Sequence, residues 1–168
     1  DPFGIPGEGL EVELTSTSVE PAEAKIGEVV HVKLGVRVQE GWHFYSITAD
    51  PEGTIPAFFE VDKDIPAEAA GELIEPKPKP WDFFGTVYPI HEGTIELSLP
   101  ILITGEAKEG DLVLSGRLGG QVCAEVCLNV DLPFRVSIKV LPGGTAAPVQ
   151  KESETPAAEK KPPEQSEE

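Results

Sequence analysis

Methionine is absent from this chain of 168 residues. So is any uninterrupted apolar run near the ~18 residues that a membrane-crossing helix needs. The first absence, with Asp1 at the start, reads as a mature product or a piece cut from a longer chain. The second leads to the expectation of a soluble chain. Positive charge is also scarce, 13 Lys and Arg against 30 Asp and Glu, for a net charge of −17. Nucleic acid is excluded as a partner on that ground, because binding phosphates requires cations that displace counterions. Anionic membrane surfaces are disfavoured by the same argument. No stretch carries a convincing amphipathic helix, and Pro66-Ala-Glu-Ala-Ala-Gly71 reads as at most one turn. No nucleotide, flavin or haem motif is present, so no cofactor is expected beyond the cysteines.

What the chain does have is glycine, proline and alternation. Gly and Pro number 17 each, and such residues punctuate strands rather than extend helices. Leu10, Val12 and Leu14 alternate with acids; Val30, Val32, Leu34, Val36 and Val38 form a longer run of the same kind. Ile95 to Leu99, Leu112 to Leu118 and Phe134 to Val140 repeat the pattern. A period of two marks strands with one buried and one wet face, as antiparallel sheets show. Turn signals separate the runs at Glu40-Gly41, Asp50 to Gly53, Glu92-Gly93, Glu109-Gly110 and Gly119-Gly120. Roughly seven to nine short strands are expected, which favours an all-β, two-sheet sandwich.

Composition shifts at Pro142. Residues 142–168 hold five prolines and no aromatic residue, with three lysines against six glutamates. Such a segment cannot bury enough apolar surface to offset its ordering entropy, so it is expected to be a disordered linker or tail. The folded domain is expected to occupy residues 1–141.

Two cysteines, Cys123 and Cys127, lie between strand patterns with three residues between them. If Ala124 to Val126 form a tight connection between antiparallel strands, the Cα atoms fall within the ~4.4–6.8 Å that a disulfide spans. A five-residue closed loop contributes only about 2 kcal/mol of chain entropy, against ~4.7 for a 100-residue loop. The short span leans towards redox work, in which the second thiol must stand close enough to resolve a mixed disulfide. A purely structural bridge in a binding or assembly module remains open. So does a metal site, with His43 and His91 completing a Cys2His2 set, although His31 and His91 lie in or beside strand patterns, where a lone histidine is usually solvated or satisfied in the core.

Several segments, taken in order, resemble the N-terminal periplasmic domain of DsbD-type thiol:disulfide interchange proteins. They are Gly41-Trp-His-Phe-Tyr-Ser46, Ile55 to Val61, the proline-rich approach to Trp81-Asp-Phe-Phe-Gly85, Gly93 to Ile103, and Gln121-Val-Cys123 with Cys127. The resemblance covers roughly residues 8–141. It implies an immunoglobulin-like fold, and a dithiol that relays electrons from a membrane-embedded donor to oxidised periplasmic proteins, thioredoxin-like ones included. That would make the chain a protein-disulfide reductase or interchange domain, periplasmic, tethered to the inner membrane in a full-length protein. By motif position Cys127 would attack and Cys123 resolve. Phe83, with Phe84, would match the cap aromatics, His43 and Tyr45 the rings near the site, Asp82 an acidic neighbour, and Gln121 the residue leading the cysteine motif. Three features depart from the family: the three-residue spacer is short, Leu128-Asn-Val130 replaces a Leu-Pro-Pro-like stretch, and Gly120 replaces an aromatic.

Overall fold

The structure is a computed structural model that describes residues 11–144. Leu10 and residues 145–168, most of the expected tail, lie outside the described residues. The strands are β1 (Val12–Glu20), β2 (Glu23–Lys25), β3 (Val29–Val38), β4 (His43–Tyr45), β5 (Phe58–Val61) and β6 (Ala67–Ala69). After them come β7 (Lys79–Phe83), β8 (Thr86–His91), β9 (Gly93–Ile103), β10 (Gly110–Cys123) and β11 (Cys127–Leu141). One sheet runs β1-β3-β9-β6, and the other runs β2-β11-β10-β4-β8-β7, with β5 also paired to β10. All pairings are antiparallel except β2 with β11.

The alternation dictates how the sheets meet. Val30, Val32, Leu34 and Val36 of β3 are fully buried, as are Leu97, Leu99 and Ile101 of β9. They face Leu114 and Leu118 of β10 and Phe134 and Ile138 of β11 in one apolar core between the sheets. Each such side chain contributes roughly 1.5–3 kcal/mol on burial, so the sandwich has a core independent of any crosslink.

Three expectations are corrected. Eleven strands occur among the described residues rather than seven to nine, because β2, β4 and β6 are three residues long and too short to show a period. Residues 67–69, read as part of a helical turn, form edge strand β6 instead, with Ala67 opposite Ile103 of β9. Tertiary pairing there overrides the helix preference of alanine. Gly119-Gly120, read as a turn, lies inside β10, where Gly119 pairs with Phe58 of β5 and with Asp131 of β11. A Cβ at Gly119 would overlap the Phe58 ring, and one at Gly120 would stand 3.0 Å from the Phe44 ring. These glycines allow rings to lie against a strand backbone.

Candidate functional site

The long β10–β11 hairpin positions the cysteines. It stays in register from Gly110 opposite Val140 to Cys123 opposite Cys127, its final pair. Ala124 to Val126 turn the chain, and the Ala124 N–H donates to the Val126 carbonyl at 2.9 Å. Directly opposed strand residues have their Cα atoms ~4.5–5.5 Å apart, and here the separation is 4.1 Å, a little below the expected disulfide range. The two cysteines are bonded to each other. Their surroundings differ sharply: Cys123 is 1% exposed, whereas Cys127 lies on the surface.

Strand β4 covers the Cys123 side. Its His43 pairs with Cys123 and its Phe44 with Val122. Tyr45, Ala49, Ile90 and Cys123 form a small cluster apart from the main core, and Trp81 and Tyr88 pack against it. Tyr45 is buried and its ring lies 5.6 Å from that of Tyr88. Burial, and then Tyr88, raise the pKa of its phenol, so it is a neutral hydroxyl at physiological pH. The His43 ring is held on three sides. Its Nδ1 donates to the Cys123 carbonyl at 3.0 Å, its Nε2 faces Glu92 at 3.3 Å, and Trp81 stacks flat on it, with centroids 3.8 Å apart at 9°.

From Trp81 an aromatic row runs outward along the β7–β8 hairpin, through Phe83 at 4.9 Å to Phe84 at a further 4.5 Å. Phe83 pairs with Thr86, so the loop is the two residues Phe84-Gly85. Their φ values are 54° and 88°, the paired positive angles of a type I′ turn, which normally selects Asn-Gly. A phenylalanine in this conformation is strained. It is also 93% exposed, while Phe83 is 37% exposed.

The structure therefore brings together Cys123, Cys127, His43 and Tyr45, with Phe83 and Phe84 continuing the row from Trp81. Asp82 is engaged differently from what the resemblance implied. Alternation turns it to the face opposite Trp81 and Phe83, and its carboxylate accepts the Gly85 N–H at 2.9 Å. The carboxylate that reaches the site through His43 is that of Glu92. Gln121 accepts the Ile55 N–H at 3.2 Å and ties the loop before β5 to β10. His91 does not join His43. Its Nε2 contacts Glu75 at 2.9 Å, and the Glu75 carboxylate also accepts the Ser46 hydroxyl and the Ile47 N–H. Among the described residues no three potential metal-ligating side chains converge.

Sequence reasoning gave no role to Trp81, Glu92 or Glu75. Trp81 had a signal, since it shares with Phe83 the alternation of one strand face. Glu92 had none, because it belongs to what reads as a turn dipeptide.

Residues 14–135 match the family described as Thiol:disulfide interchange protein DsbD, N-terminal. The chain belongs to that family. The match takes in all of β2–β10, most of β1 and over half of β11, with both cysteines inside it. The fold of the DsbD N-terminal family is accordingly the immunoglobulin-like sandwich seen here, and the Cys123–Cys127 pair belongs to a thiol–disulfide interchange domain. Among solved structures, the N-terminal periplasmic domain of ScsB from Proteus mirabilis aligns with a TM-score of 0.50 at 15% identity, over 77% of this chain. The chain spans 44% of that ScsB structure. The reduced DsbD N-terminal domain of Neisseria meningitidis aligns at 18% identity over 82% of this chain and 92% of its own, with a TM-score of 0.42. No curated protein matches the chain in sequence.

Proposed function

We propose that this domain carries reducing equivalents in the periplasm, as a protein-disulfide reductase, through the Cys123/Cys127 pair. A membrane-embedded donor would reduce the pair, and disulfide-bearing proteins, thioredoxin-like ones included, would oxidise it. The observation that carries this reading is the asymmetry of the cysteines: Cys127 is exposed and Cys123 is 1% exposed. Exchange proceeds by attack of a thiolate on a sulfur it can reach, so Cys127 is the attacking residue and Cys123 the resolving one. In the reduced protein the Cys127 thiolate attacks a partner disulfide, forms a mixed disulfide, and releases one partner thiolate. The Cys123 thiolate then attacks the Cys127 sulfur, which forms the Cys123–Cys127 bond and releases the second partner thiolate. The pair loses two electrons, the partner disulfide gains them, and the two protons of the dithiol end on the partner's thiols.

The neighbours fit supporting roles. His43 fixes the Cys123 backbone through its carbonyl, and the β7–β8 hairpin, bearing Trp81, Phe83 and Phe84, serves as the cap. An apolar cover protects a thiolate from small oxidants. Tyr45 packs Cys123 from within, and Gln121 anchors a neighbouring loop.

Trapping tests this division of labour. A Cys123→Ala variant lacks the resolving thiol and should accumulate a mixed disulfide through Cys127 with a protein disulfide. A Cys127→Ala variant should trap far less, because its remaining thiol is buried. If neither variant traps a partner, the proposal fails.

A further inference from the structure

Apart from Lys79 at the start of β7, the segments that build the site carry charge of one sign. Residues 43–45, 81–92 and 118–131 contain no lysine or arginine, but they contain Asp82, Glu92, Glu125 and Asp131. Arg117, just before the last of these segments, has its guanidinium 3.0 Å from Glu60 and 3.4 Å from Asp131. Glu125 sits on the surface in the turn between the two cysteines, and the Glu92 side chain is 46% exposed beside His43. Within this anionic surround lie apolar side chains open to solvent. Val126, adjacent to Cys127, is 60% exposed; Leu128, on its other side, is 36% exposed; Phe84, at the hairpin tip, is 93% exposed. Interfaces commonly place an apolar centre inside a polar rim, and complementary charge sets encounter rates and rejects wrong partners.

We propose that the face around Cys127 selects disulfide-bearing proteins whose own apolar contact is ringed by lysine and arginine. This rests on the exchange function proposed above and adds a partner chemistry to it. Glu125 and Glu92 act at short range on any group approaching the Cys127 sulfur. The net charge of −17 adds a longer-range attraction that salt screens, with a Debye length of about 10 Å at 0.1 M. An anionic client disulfide meets repulsion from both sources.

Two small disulfides of opposite charge isolate the effect. The reduced full chain is mixed with cystamine, a dication, or with dithiodiglycolate, a dianion, and formation of the Cys123–Cys127 bond is followed. Each reaction releases two small thiols per pair oxidised. The cystamine-to-dithiodiglycolate rate ratio is divided by the ratio that 2-mercaptoethanol, a neutral thiol, gives with the same reagents. The corrected ratio should be about tenfold at about 10 mM salt and fall to within about twofold at about 0.5 M. The Glu92→Gln/Glu125→Gln variant should lower the low-salt ratio at least about twofold; if it does not fold, the salt titration of the native chain decides. A corrected ratio near one at low salt, a ratio indifferent to salt, or a folded double variant with an unchanged ratio would each overturn the charge selection while leaving exchange intact. Failure of both disulfides to oxidise the pair would instead overturn the exchange reading on which the selection rests.

Discussion

Phe84 carries a backbone strain that its side chain does little to offset by burial. Its φ of 54° places a bulky residue where Asn or Gly is favoured, and its ring is 93% exposed. Strain of this kind persists where surrounding structure over-determines it, and it clusters at functional sites. A Phe84→Asn variant should therefore be more stable by about 1 kcal/mol in a denaturant titration. It should also exchange more slowly with a protein disulfide, while its rate with a small disulfide changes little. A variant no more stable than the native chain, with unaltered protein exchange, would show that Phe84 is only a surface residue. Motif order named the cysteines, His43, Tyr45 and the two phenylalanines together, and the fold sets them in one neighbourhood. Trp81 offered only its shared alternation with Phe83 and Glu92 offered nothing, since their roles depend on a flat stack and a 3.3 Å contact with His43, which only the folded register of β4 beside β8 creates.

The β7–β8 hairpin is the edge of its sheet and pairs with β4 only at Phe44–His91 and Tyr45–Ile90, so its outer part is held by side chains on one face. Trp81 supplies that hold, stacked on His43 and packed against the Cys123 cluster. An aromatic pair of this kind contributes about 0.5–1.5 kcal/mol beyond its area, enough to latch a short hairpin yet leave it able to open. In the reduced Trp81→Ala protein, iodoacetamide should alkylate the buried Cys123 severalfold faster, whereas Trp81→Phe should stay near the native rate. Equal rates in all three proteins would remove the latch. At this same scale the long strands were legible, because β3, β9 and β11 carry alternating runs of five to nine residues within strands of ten residues or more. The errors fell where tertiary contacts outweighed local preference. An alanine-rich stretch became edge strand β6, and a glycine pair became the place in β10 where the Phe58 and Phe44 rings lie against the backbone.

For the whole molecule, the core between the sheets does not depend on the crosslink. The five-residue loop that the disulfide closes offers only about 2 kcal/mol of chain entropy, so the reduced sandwich should remain folded. That separation between fold and bond is what an exchange domain needs. The whole-molecule architecture was the most legible part of the sequence, because alternating strands without helices leave few options. The direct measurement is the reduction potential of Cys123–Cys127, obtained by equilibrating the folded chain with graded thiol/disulfide buffers while secondary structure is monitored. The account predicts reversible reduction of a folded domain at a potential above about −300 mV. A value below that, or a bond that resists excess dithiothreitol until the sandwich unfolds, would contradict it.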